Sequence, residues 1–341
     1  MKINILNHKS YQQWNAYVSN SEHSSIYHLA EWADLIQSVF KHKSYFLYIE
    51  ADNQIQGVLP LTHIKSALFG DFIISMPYFN YGGAIANSLE IENSLLEHAK
   101  LLAKKQGVSH IEYRDHQPRP DMPAKTDKIT MILPLAASHD AQWSTFSSKL
   151  RAQIRRPMKE GIEIQSGLHE QLTDFYTVFT RNMRDLGTPV YPKHFFKEIL
   201  NQFGQHCKII IVRFQNQPVA AGFLIGFKNQ LEIPWASSLR KFNHISVNMA
   251  LYWEALKYAI DQGYTSFDFG RCSKNSGTYK FKKQWGAKEK QLYWHYWLKD
   301  GSELPQLNPN NPKYQLAIQT WQKLPLGITN WLGPKLVKNL P

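Results

Sequence analysis

The chain has 341 residues, and its 39 lysines and arginines against 27 acidic residues leave a formal net charge of +12. Its length and its 43% of hydrophobic residues are enough for two globular domains with cores of their own, and they exclude a disordered chain. The positive charge predicts an anionic partner, which can be nucleic acid, anionic lipid or a phosphorylated substrate.

The cysteine content and the length of the apolar runs indicate the cellular compartment of the protein. Two cysteines, Cys207 and Cys272, exclude a disulfide framework and a cysteine zinc site, which favours a reducing cytoplasm. The N-terminus has no apolar signal core, and no uncharged apolar run reaches the roughly 18 residues of a membrane span. We therefore expect neither signal-directed secretion nor an integral membrane protein.

The first half begins with a helix-forming segment and continues as strands around a second helix. Hydrophobic periodicity predicts helix 29–40, a hairpin of strands 44–51 and 55–65, strand 72–79, helix 91–105 and strand 109–115. Gly107 is the predicted end of the second helix, because glycine adopts the left-handed conformation of a helix terminus.

The second half repeats this order. Strands are predicted at 207–214, 219–227 and 231–238, followed by helix 247–261 and strand 265–271. QGVSHIEYRD at 106–115 aligns with QGYTSFDFGR at 262–271, an offset of 156 residues (106 to 262). A similar junction, at 50–61 and 213–225, has an offset of 163 (50 to 213). An internal duplication explains both.

Between the halves lie strand 127–135, a short basic helix and two apolar-periodic helices. Pro157 and Gly161 are expected to bound the basic helix. Its five basic residues are Lys149, Arg151, Arg155, Arg156 and Lys159.

The predicted fold class is α/β (α+β), with mixed sheets in two duplicated domains. The first domain is assigned to 1–135 and the second to 136–300, with a helical insertion at about 142–205. Residues 301–341 form a C-terminal tail, in which Trp321 and Trp331 stand among lysines. The tail either contacts the surface of the inner membrane or packs against the body of the protein.

The segment 263–298 combines a strand, a Gly/Ser/Asn loop, a basic-aromatic stretch and an aromatic-rich strand. Seven lysines and arginines lie between Asp268 and Lys290 against two acids, interleaved with Tyr279, Phe281 and Trp285. This composition suits a negatively charged, partly planar ligand. A solvated basic edge over an aromatic core is the alternative, and we favour a functional role because neighbouring like charges repel.

The stretch TYKFKKQWGA resembles the Phe-Lys-x-x-aromatic-Gly signature of the Fem family of aminoacyl and peptidyl transferases. Together with NYGG (80–83), KLRAQIRRPMKEG (149–161) and FDFGR (267–271), it is most similar to the FemAB-related proteins of exosortase/PEP-CTERM exopolysaccharide systems. The resemblance covers about 28–298. It implies tandem GNAT-like N-acyltransferase domains and a transferase of the cell envelope.

For this chain, the resemblance implies transfer of an acyl or aminoacyl group to an amine of an amino sugar, peptide or lipid-linked saccharide. The family signature carries over to Phe281 and Lys282, which places this lysine near the reacting carbonyl. A fixed cation there would stabilise the charge that develops on the carbonyl oxygen. Asp268 is a candidate base for the amine, although pairing with Arg271 is the favoured interpretation.

Further residues are candidates for substrate binding. Arg155 and Arg156 are predicted either to clamp a phosphate of a sugar nucleotide or lipid-linked sugar or to form a solvated helix face. The duplication places Tyr81 and the run Tyr113, Arg114 and Asp115 at the matching edge of the first half, as candidates for acceptor binding. Around the basic loop the candidates are Arg271, Ser276, Gly277, Tyr279 and Trp285.

The segment before helix 247–261 indicates which acyl donor the chain uses. Coenzyme-A-dependent enzymes of this fold bind pyrophosphate on a glycine-rich turn, whereas this chain has Arg240–Ile245 without glycine. The chain therefore lacks the turn that usually indicates an acyl-CoA donor. Aminoacyl-tRNA fits the basic surface better. No tightly bound cofactor, metal site or DNA partner is expected. A non-catalytic protein that binds RNA or an anionic surface is the alternative function.

Overall fold

A computed structural model describes residues 2–67, 69–301, 303–305 and 312–340, the last range without the side chains of 312–314. The elements up to the middle of the chain are β1 (Lys2–Ile5), α1 (Tyr11–Asn20), α2 (Glu31–Phe40), β2 (Lys43–Ser44), β3 (Leu47–Ala51), β4 (Gln54–Leu59), β5 (Thr62–Ser66), β6 (Gly70–Ile74), β7 (Ile85–Ala86), α3 (Leu89–Gln106), β8 (His110–Asp115), β9 (Ala124–Lys125) and β10 (Lys128–Pro134).

The remaining elements run from the basic segment to the C-terminal helices. They are α4 (His139–Thr145), α5 (Ser148–Lys159), β11 (Glu163–Gly167), α6 (Leu172–Leu186), α7 (Lys193–Phe203), β12 (Cys207–Phe214), β13 (Gln217–Phe227), β14 (Gln230–Ser238), α8 (Val247–Asp261), β15 (Ser266–Ser273), α9 (Gly277–Lys283), β16 (Lys288–Gln291), β17 (Tyr293–Leu298), α10 (Pro312–Lys323) and α11 (Leu326–Val337).

The described residues form two compact units. The first lies within Met1–Lys128, Gln291–Leu307 and Lys338–Pro341, and the second within Ile129–Lys290 and Asn308–Val337. This division differs from the predicted domains 1–135, 136–300 and 301–341. Two strands account for much of the difference, because β10 completes the sheet of the second unit and β17 completes a sheet of the first.

The first unit contains two sheets, a four-stranded one in the order β1-β3-β4-β7 and a six-stranded one in the order β2-β5-β6-β8-β17-β9. Strands β6 and β8 pair in parallel, and α3 connects them. Ser88 caps α3 through its hydroxyl, and Gly107 ends the helix at φ +71°, as predicted. The predicted strand 55–65 is divided between the two sheets at Pro60, which has no N–H for a sheet ladder.

The second unit contains a seven-stranded sheet in the order β11-β12-β13-β14-β15-β10-β16. Strands β14 and β15 pair in parallel across the connecting helix α8, whose bounds agree with the predicted 247–261. The predicted helical insertion at 142–205 also contains β11, an edge strand that pairs antiparallel with β12. This segment therefore contributes an edge strand to the second unit's sheet in addition to its helices.

Helix α5 extends beyond the boundary expected at Pro157. Proline lies inside its last turn, and the helix ends at Lys159. The missing N–H removes only one intrahelical hydrogen bond at this position, and the Glu160 N–H still donates to the Arg156 carbonyl at 3.2 Å. The helix thus carries Lys159, as predicted, and ends before Gly161, the other expected boundary.

Each unit contains an antiparallel hairpin, then a strand, a helix and a parallel return strand. The hairpins are β3–β4 and β12–β13, and the strand-helix-strand segments are β6-α3-β8 and β14-α8-β15. The predicted duplication of a mixed α/β unit is thus visible in the topology of both units.

Candidate active site

The parallel strands β14 and β15 part after a short paired stretch. Among the described residues they pair only at Gln230–Glu232 with Ser266–Asp268, although β14 continues to Ser238 and β15 to Ser273. Beyond Glu232 and Asp268, the backbone groups that face the gap between β14 and β15 can bind other partners. This opening lies at the carboxyl ends of parallel strands, where α/β folds commonly bind ligands.

Asp268 occupies the last paired position and is completely buried. Its Oδ1 accepts hydrogen bonds from the Thr130 hydroxyl at 2.6 Å and from the Gly270 N–H at 2.7 Å. Gly270 has φ +75°, a conformation that suits glycine. The buried carboxyl therefore holds a local turn in β15, and it is not exposed to an acceptor amine. Its predicted role as a base stays a prediction.

Lys282 inserts its side chain beside this turn. It lies on the short helix α9, which Ser276 caps by accepting the Tyr279 N–H through its hydroxyl at 3.1 Å. The Lys282 Nζ donates to the carbonyls of Gly270 at 2.7 Å and Arg271 at 2.9 Å, and only 6% of the residue is exposed. The lysine that the sequence resemblance singled out is thus fixed at the open ends of the two strands.

The protonation of Lys282 reflects competing influences. Burial lowers the pKa of its ammonium group, while electrostatic interactions with Cys272, Asp268 and Glu232 oppose this change, and the net direction is downward. Glu232 is the register partner of Asp268 on β14. The site therefore combines a buried cation with two buried carboxyl residues, an arrangement that is common at functional sites.

Aromatic side chains surround the lysine's helix. Trp285 is buried and packs edge-on against Phe146, and Phe281 contacts Tyr252 at a ring distance of 4.9 Å. Tyr252 also stacks on Phe269 of β15. This apolar layer limits water around the lysine's aliphatic stem and explains why its ammonium is desolvated.

The other predicted residues of the basic loop hold or border α9. The Tyr279 hydroxyl donates to Glu289 at 2.6 Å and accepts from the Lys283 Nζ at 3.1 Å. Ser276 serves as the helix cap, and Gly277 is its exposed first residue. The Arg271 side chain is exposed although its carbonyl binds Lys282. Tyr279 and Ser276 thereby position the helix that carries the lysine.

Arg155 and Arg156 are exposed on α5. The guanidinium of Arg155 lies 5.1 Å from the ring centroid of Trp143, and Arg156 is in the helix's last turn. Among the described residues, neither arginine has an acidic partner within an ion-pair distance. Their side chains are accessible to an anion, while clamping of a phosphate stays a prediction.

The segment before α8 is a short 3-10 helix, Arg240–Ile245, followed by Ser246 at φ +63°. Phe242 and Ile245 are buried in this turn, and Arg240, Lys241 and His244 are exposed. A glycine-rich turn that directs free N–H groups at a pyrophosphate is therefore replaced by apolar anchoring and a basic rim.

The first unit contains a cavity of about 490 Å³ at the start of α3 and the end of β8. Its wall includes the backbone of Gly83 and the side chains of Glu92, Asp115, His116 and Arg119. A Cβ on Gly83 would lie 1.9 Å from the Asp115 Oδ1, so this position requires glycine. The second glycine of NYGG thus permits the close approach of the chain to a carboxylate.

A buried network that sequence reasoning missed supports this wall. Arg119 donates to Asp115 at 2.9 and 3.1 Å and also binds Glu92, and His295 of β17 hydrogen-bonds to Asp115 through Nδ1 at 2.9 Å. The backbone N–H of Arg119 donates to the His295 Nε2 at 2.9 Å, so the ring proton of His295 is on Nδ1. Burial alone would raise the pKa of Asp115, but hydrogen bonds from His295 and Arg119 lower it.

Tyr81, Tyr113 and Arg114 are all buried in the first unit. Tyr81 stacks on His116 of the cavity wall at a ring distance of 4.4 Å, whereas Tyr113 lies in the hydrophobic core. Arg114 pairs with Glu112 at 2.9 Å, donates to the Phe79 carbonyl and lies over the Trp294 ring. Their direct contact with an acceptor stays a prediction, and Arg114 has an internal ion pair.

The region that matches a known protein family lies inside the second unit. Residues 147–283 match the acetyltransferase (GNAT) domain family, which covers most of the second unit and less than half of the chain. The segment includes α5, the parting strands and Lys282. The predicted acyltransferase is confirmed at the level of this domain.

A curated relative is the UDP-N-acetylmuramoylpentapeptide-lysine N(6)-alanyltransferase of Weissella viridescens. It is 22% identical over 196 residues, which are 56% of this chain and 55% of that protein. The chain therefore matches about half the length of this relative. This partial match supports the likeness to Fem-type enzymes and leaves the activity of the whole protein to be proposed.

Solved structures show the same fold over nearly the whole chain. The crystal structure of FemX has a TM-score of 0.65 at 16% identity, covering 94% of this chain and 100% of that one. L-PGS from Bacillus licheniformis (TM-score 0.57, 14% identity, 92% and 97% covered) and a tandem GNAT protein from the clavulanic acid biosynthesis pathway (0.52, 9%, 89% and 99%) are also similar. The predicted tandem GNAT-like fold is confirmed.

Proposed function

We propose that this protein is an N-acyltransferase that transfers an acyl or aminoacyl group to an amine, with Lys282 at the reacting carbonyl. The observation that carries the proposal is the buried Lys282 ammonium, held by the Gly270 and Arg271 carbonyls at the end of the parting strands. An ammonium has three N–H donors, so two hydrogen bonds to backbone leave one for a ligand oxygen.

The proposed step is attack of the acceptor's neutral amine on an ester or thioester carbonyl. The new C–N bond places negative charge on the carbonyl oxygen, which the remaining Lys282 N–H stabilises. Collapse of this intermediate breaks the bond to the donor's oxygen or sulfur, and the proton lost by the amine neutralises the leaving group. Since Lys282 acts as a fixed cation, it neither gains nor loses a proton in the step.

The donor is proposed from the surroundings of α8. The basic 3-10 turn Arg240–Ile245 has no glycine-rich pyrophosphate cradle, while exposed arginines on α5 and the lysines of α9 supply positive charge. We therefore favour aminoacyl-tRNA over acyl-CoA. The Weissella relative is named as an alanyltransferase, which is consistent with transfer of an aminoacyl group.

The acceptor is proposed to carry an amine on a phosphorylated or lipid-linked saccharide or peptide. The relative named for UDP-N-acetylmuramoylpentapeptide-lysine supports a peptidoglycan-precursor type of acceptor. Within the second unit, the exposed Arg155 and Arg156 would bind its phosphates. An exopolysaccharide acceptor of an exosortase/PEP-CTERM system is the narrower proposal, which rests on the sequence resemblance.

The second candidate function is non-catalytic binding of RNA or another polyanion. The observation in its favour is the set of exposed α5 basic residues, Lys149, Arg155, Arg156 and Lys159, for which no acidic partner occurs among the described residues. Binding of this kind would weaken steeply with salt and would not depend on the buried Lys282.

The deciding experiment supplies the purified full chain with radiolabelled aminoacyl-tRNA or acetyl-CoA and a panel of amines, including UDP-N-acetylmuramoyl-pentapeptide and UDP-amino sugars. Acid-stable transfer of label to one acceptor, saturable in that acceptor, is the expected result. Absence of transfer to every acceptor, together with RNA binding that disappears at moderate salt, would establish the non-catalytic alternative instead.

A further inference from the structure

The C-terminal helix α11 lies in a basic segment of the chain that has no acidic residue. From Pro312 to Pro341 the sequence contains four lysines, Lys313, Lys323, Lys335 and Lys338, and no aspartate or glutamate. Helix α11 itself, Leu326–Val337, has a single charged residue, Lys335, in its last turn. Any partner that covers this helix by charge complementarity must be anionic.

One side of α11 is packed against the second unit. Thr329, Gly333 and Val337 are spaced four residues apart and are buried. A Cβ on Gly333 would lie 2.8 Å from the Val190 backbone nitrogen, so glycine lets the helix approach this segment closely. The helix is therefore held along one face and cannot turn its other face inward.

The opposite side of α11 exposes apolar side chains in helical register. Trp331 is 65% exposed and Ile328 is 45% exposed, and Lys335 follows Trp331 by one turn. The Lys335 Nζ lies 3.5 Å from the Trp331 ring centroid. Isolated exposed apolar residues are common, but two large ones beside a lysine on the same helix face indicate an interaction surface.

We propose that this face, Ile328, Trp331 and Lys335, binds the interface of a membrane that contains anionic lipid. Tryptophan prefers the headgroup region, where its ring is buried and its N–H stays hydrated. Lysines beside an interfacial helix keep their ammonium groups among anionic headgroups while their stems lie along the apolar layer. The proposal does not depend on the proposed acyl transfer.

The geometry is that of a helix lying along the surface. At 1.5 Å per residue, the 12 residues of α11 are about 18 Å long, which is too short to cross the roughly 30 Å hydrocarbon layer. In the described part of the chain, no helix has the length and apolarity of a membrane span. A second copy of this chain is a poorer occupant, because each copy carries a net charge of +12 and an acid-free C-terminal segment.

The test is co-sedimentation of the full chain with vesicles of phosphatidylcholine alone and of phosphatidylcholine with phosphatidylglycerol. The variant is Ile328→Ser with Trp331→Ser. The matched control is Leu101→Ser, because Leu101 is an exposed large apolar residue (61%) on α3. We expect binding to the anionic vesicles only, a loss of about tenfold or more in the double variant, and an unchanged control.

A charge variant separates electrostatic from apolar binding. Lys335→Glu is expected to weaken binding to anionic vesicles severalfold and to leave its salt dependence shallower. Equal binding of the wild type and the double variant would overturn the proposal, as would failure of the wild type to bind anionic vesicles at low salt. Dimerisation in solution that the double variant abolishes, without vesicle binding, would assign the face to a second copy. Unchanged thermal unfolding shows that each variant is folded.

Discussion

The two units place a buried acid at the same point of a duplicated segment and pair it with different cations. In the first unit the parallel pairing of β6 and β8 ends at Glu112, and in the second the pairing of β14 and β15 ends at Asp268. These residues are 156 positions apart (112 to 268), the offset of the sequence repeat. In both cases a hydroxyl of the neighbouring strand donates to the acid, from Tyr296 and from Thr130.

The difference lies two residues further along each return strand. In the first unit this residue is Arg114, whose guanidinium pairs with Glu112 and donates to the Met76 and Phe79 carbonyls. In the second unit it is Gly270, and the cation is Lys282, which α9 inserts against the Gly270 and Arg271 carbonyls. In the first unit the arginine's hydrogen bonds are made inside the core. In the second unit Lys282 donates two hydrogen bonds to backbone carbonyls and keeps a third N–H for a ligand.

The largest effect is expected where the cation is structural. Arg114→Met removes the partner of a fully buried carboxylate and leaves Glu112 desolvated. We expect the free energy of unfolding of the first unit to fall by about 3–5 kcal/mol, measured by urea denaturation. The exposed Arg156→Met is the control and should stay within about 0.5 kcal/mol of the wild type. Equal stabilities of the two variants would contradict a structural role for Arg114.

The next effect is on catalysis in the second unit. Lys282→Ala removes the proposed oxyanion donor, and we expect kcat to fall about 10²- to 10³-fold in the transfer assay. Lys283→Ala, at the exposed neighbouring lysine, should leave kcat close to the wild-type value. A folded Lys282→Ala protein with wild-type kcat would remove this residue from the mechanism while leaving the comparison of the two cores intact.

The pH dependence of transfer sharpens the assignment. Burial lowers the pKa of Lys282 from the usual 10.5, so the cation is lost at a lower pH than for an exposed lysine. We therefore expect kcat to fall as pH rises through this lowered pKa. Lys282→Arg, whose guanidinium remains charged, should move or abolish the alkaline limb even where its activity is reduced. An identical alkaline limb in this variant would show that another group titrates.

A moderate effect is expected in the buried network of the first unit. Asp115→Asn weakens the bonds to Arg119 and His295, and we expect a loss of about 1–3 kcal/mol in stability at pH 7. The folded-state pKa of Asp115 is lowered, so its stabilisation is present above the unfolded value near 4 and is lost as pH falls toward the folded value. The difference between wild type and variant should shrink in acid.

The smallest effect is expected from the hydroxyl that anchors Asp268. Thr130→Val removes the donor at 2.6 Å but keeps the volume, and we expect a loss of about 1–2 kcal/mol in unfolding free energy. Thr130→Ser retains the hydroxyl and is the control. If Thr130→Val also lowers kcat under conditions where the variant is fully folded, Asp268 and its turn position Lys282 in addition to stabilising β15.

Much of the framework was predictable because it depends on local patterns. Helix α8 follows the apolar periodicity of 247–261, and the repeated junctions at 106–115 and 262–271 indicated the duplication. Lys282 was chosen through the Phe-Lys motif, and the structure adds its burial and its two carbonyl partners. Ser276 was named as a ligand contact, and the structure gives it the cap of α9.

Most of the network around Asp115 could not be predicted, because its members other than Arg119 are distant from Asp115 in the sequence. His295 lies 180 residues from Asp115, and Glu92 lies 27 residues from Arg119. A pattern of single residues at such separations carries no periodicity. Two local signals existed, the four-residue spacing of Asp115 and Arg119 and the pair of glycines in NYGG, of which Gly83 leaves room for the Asp115 carboxylate.

The sequence alone predicted the order of the repeated strands and helices, the duplicated unit, the end of α3 at Gly107 and the excess of positive charge. These depend on side-chain period, capping and composition, which act over a few residues. Only the tertiary structure decided that β10 completes the second unit and β17 the first. Backbone hydrogen bonds do not distinguish one sheet edge from another, so long-range side-chain contacts, such as His295 with Asp115 and Tyr296 with Glu112, select the partner.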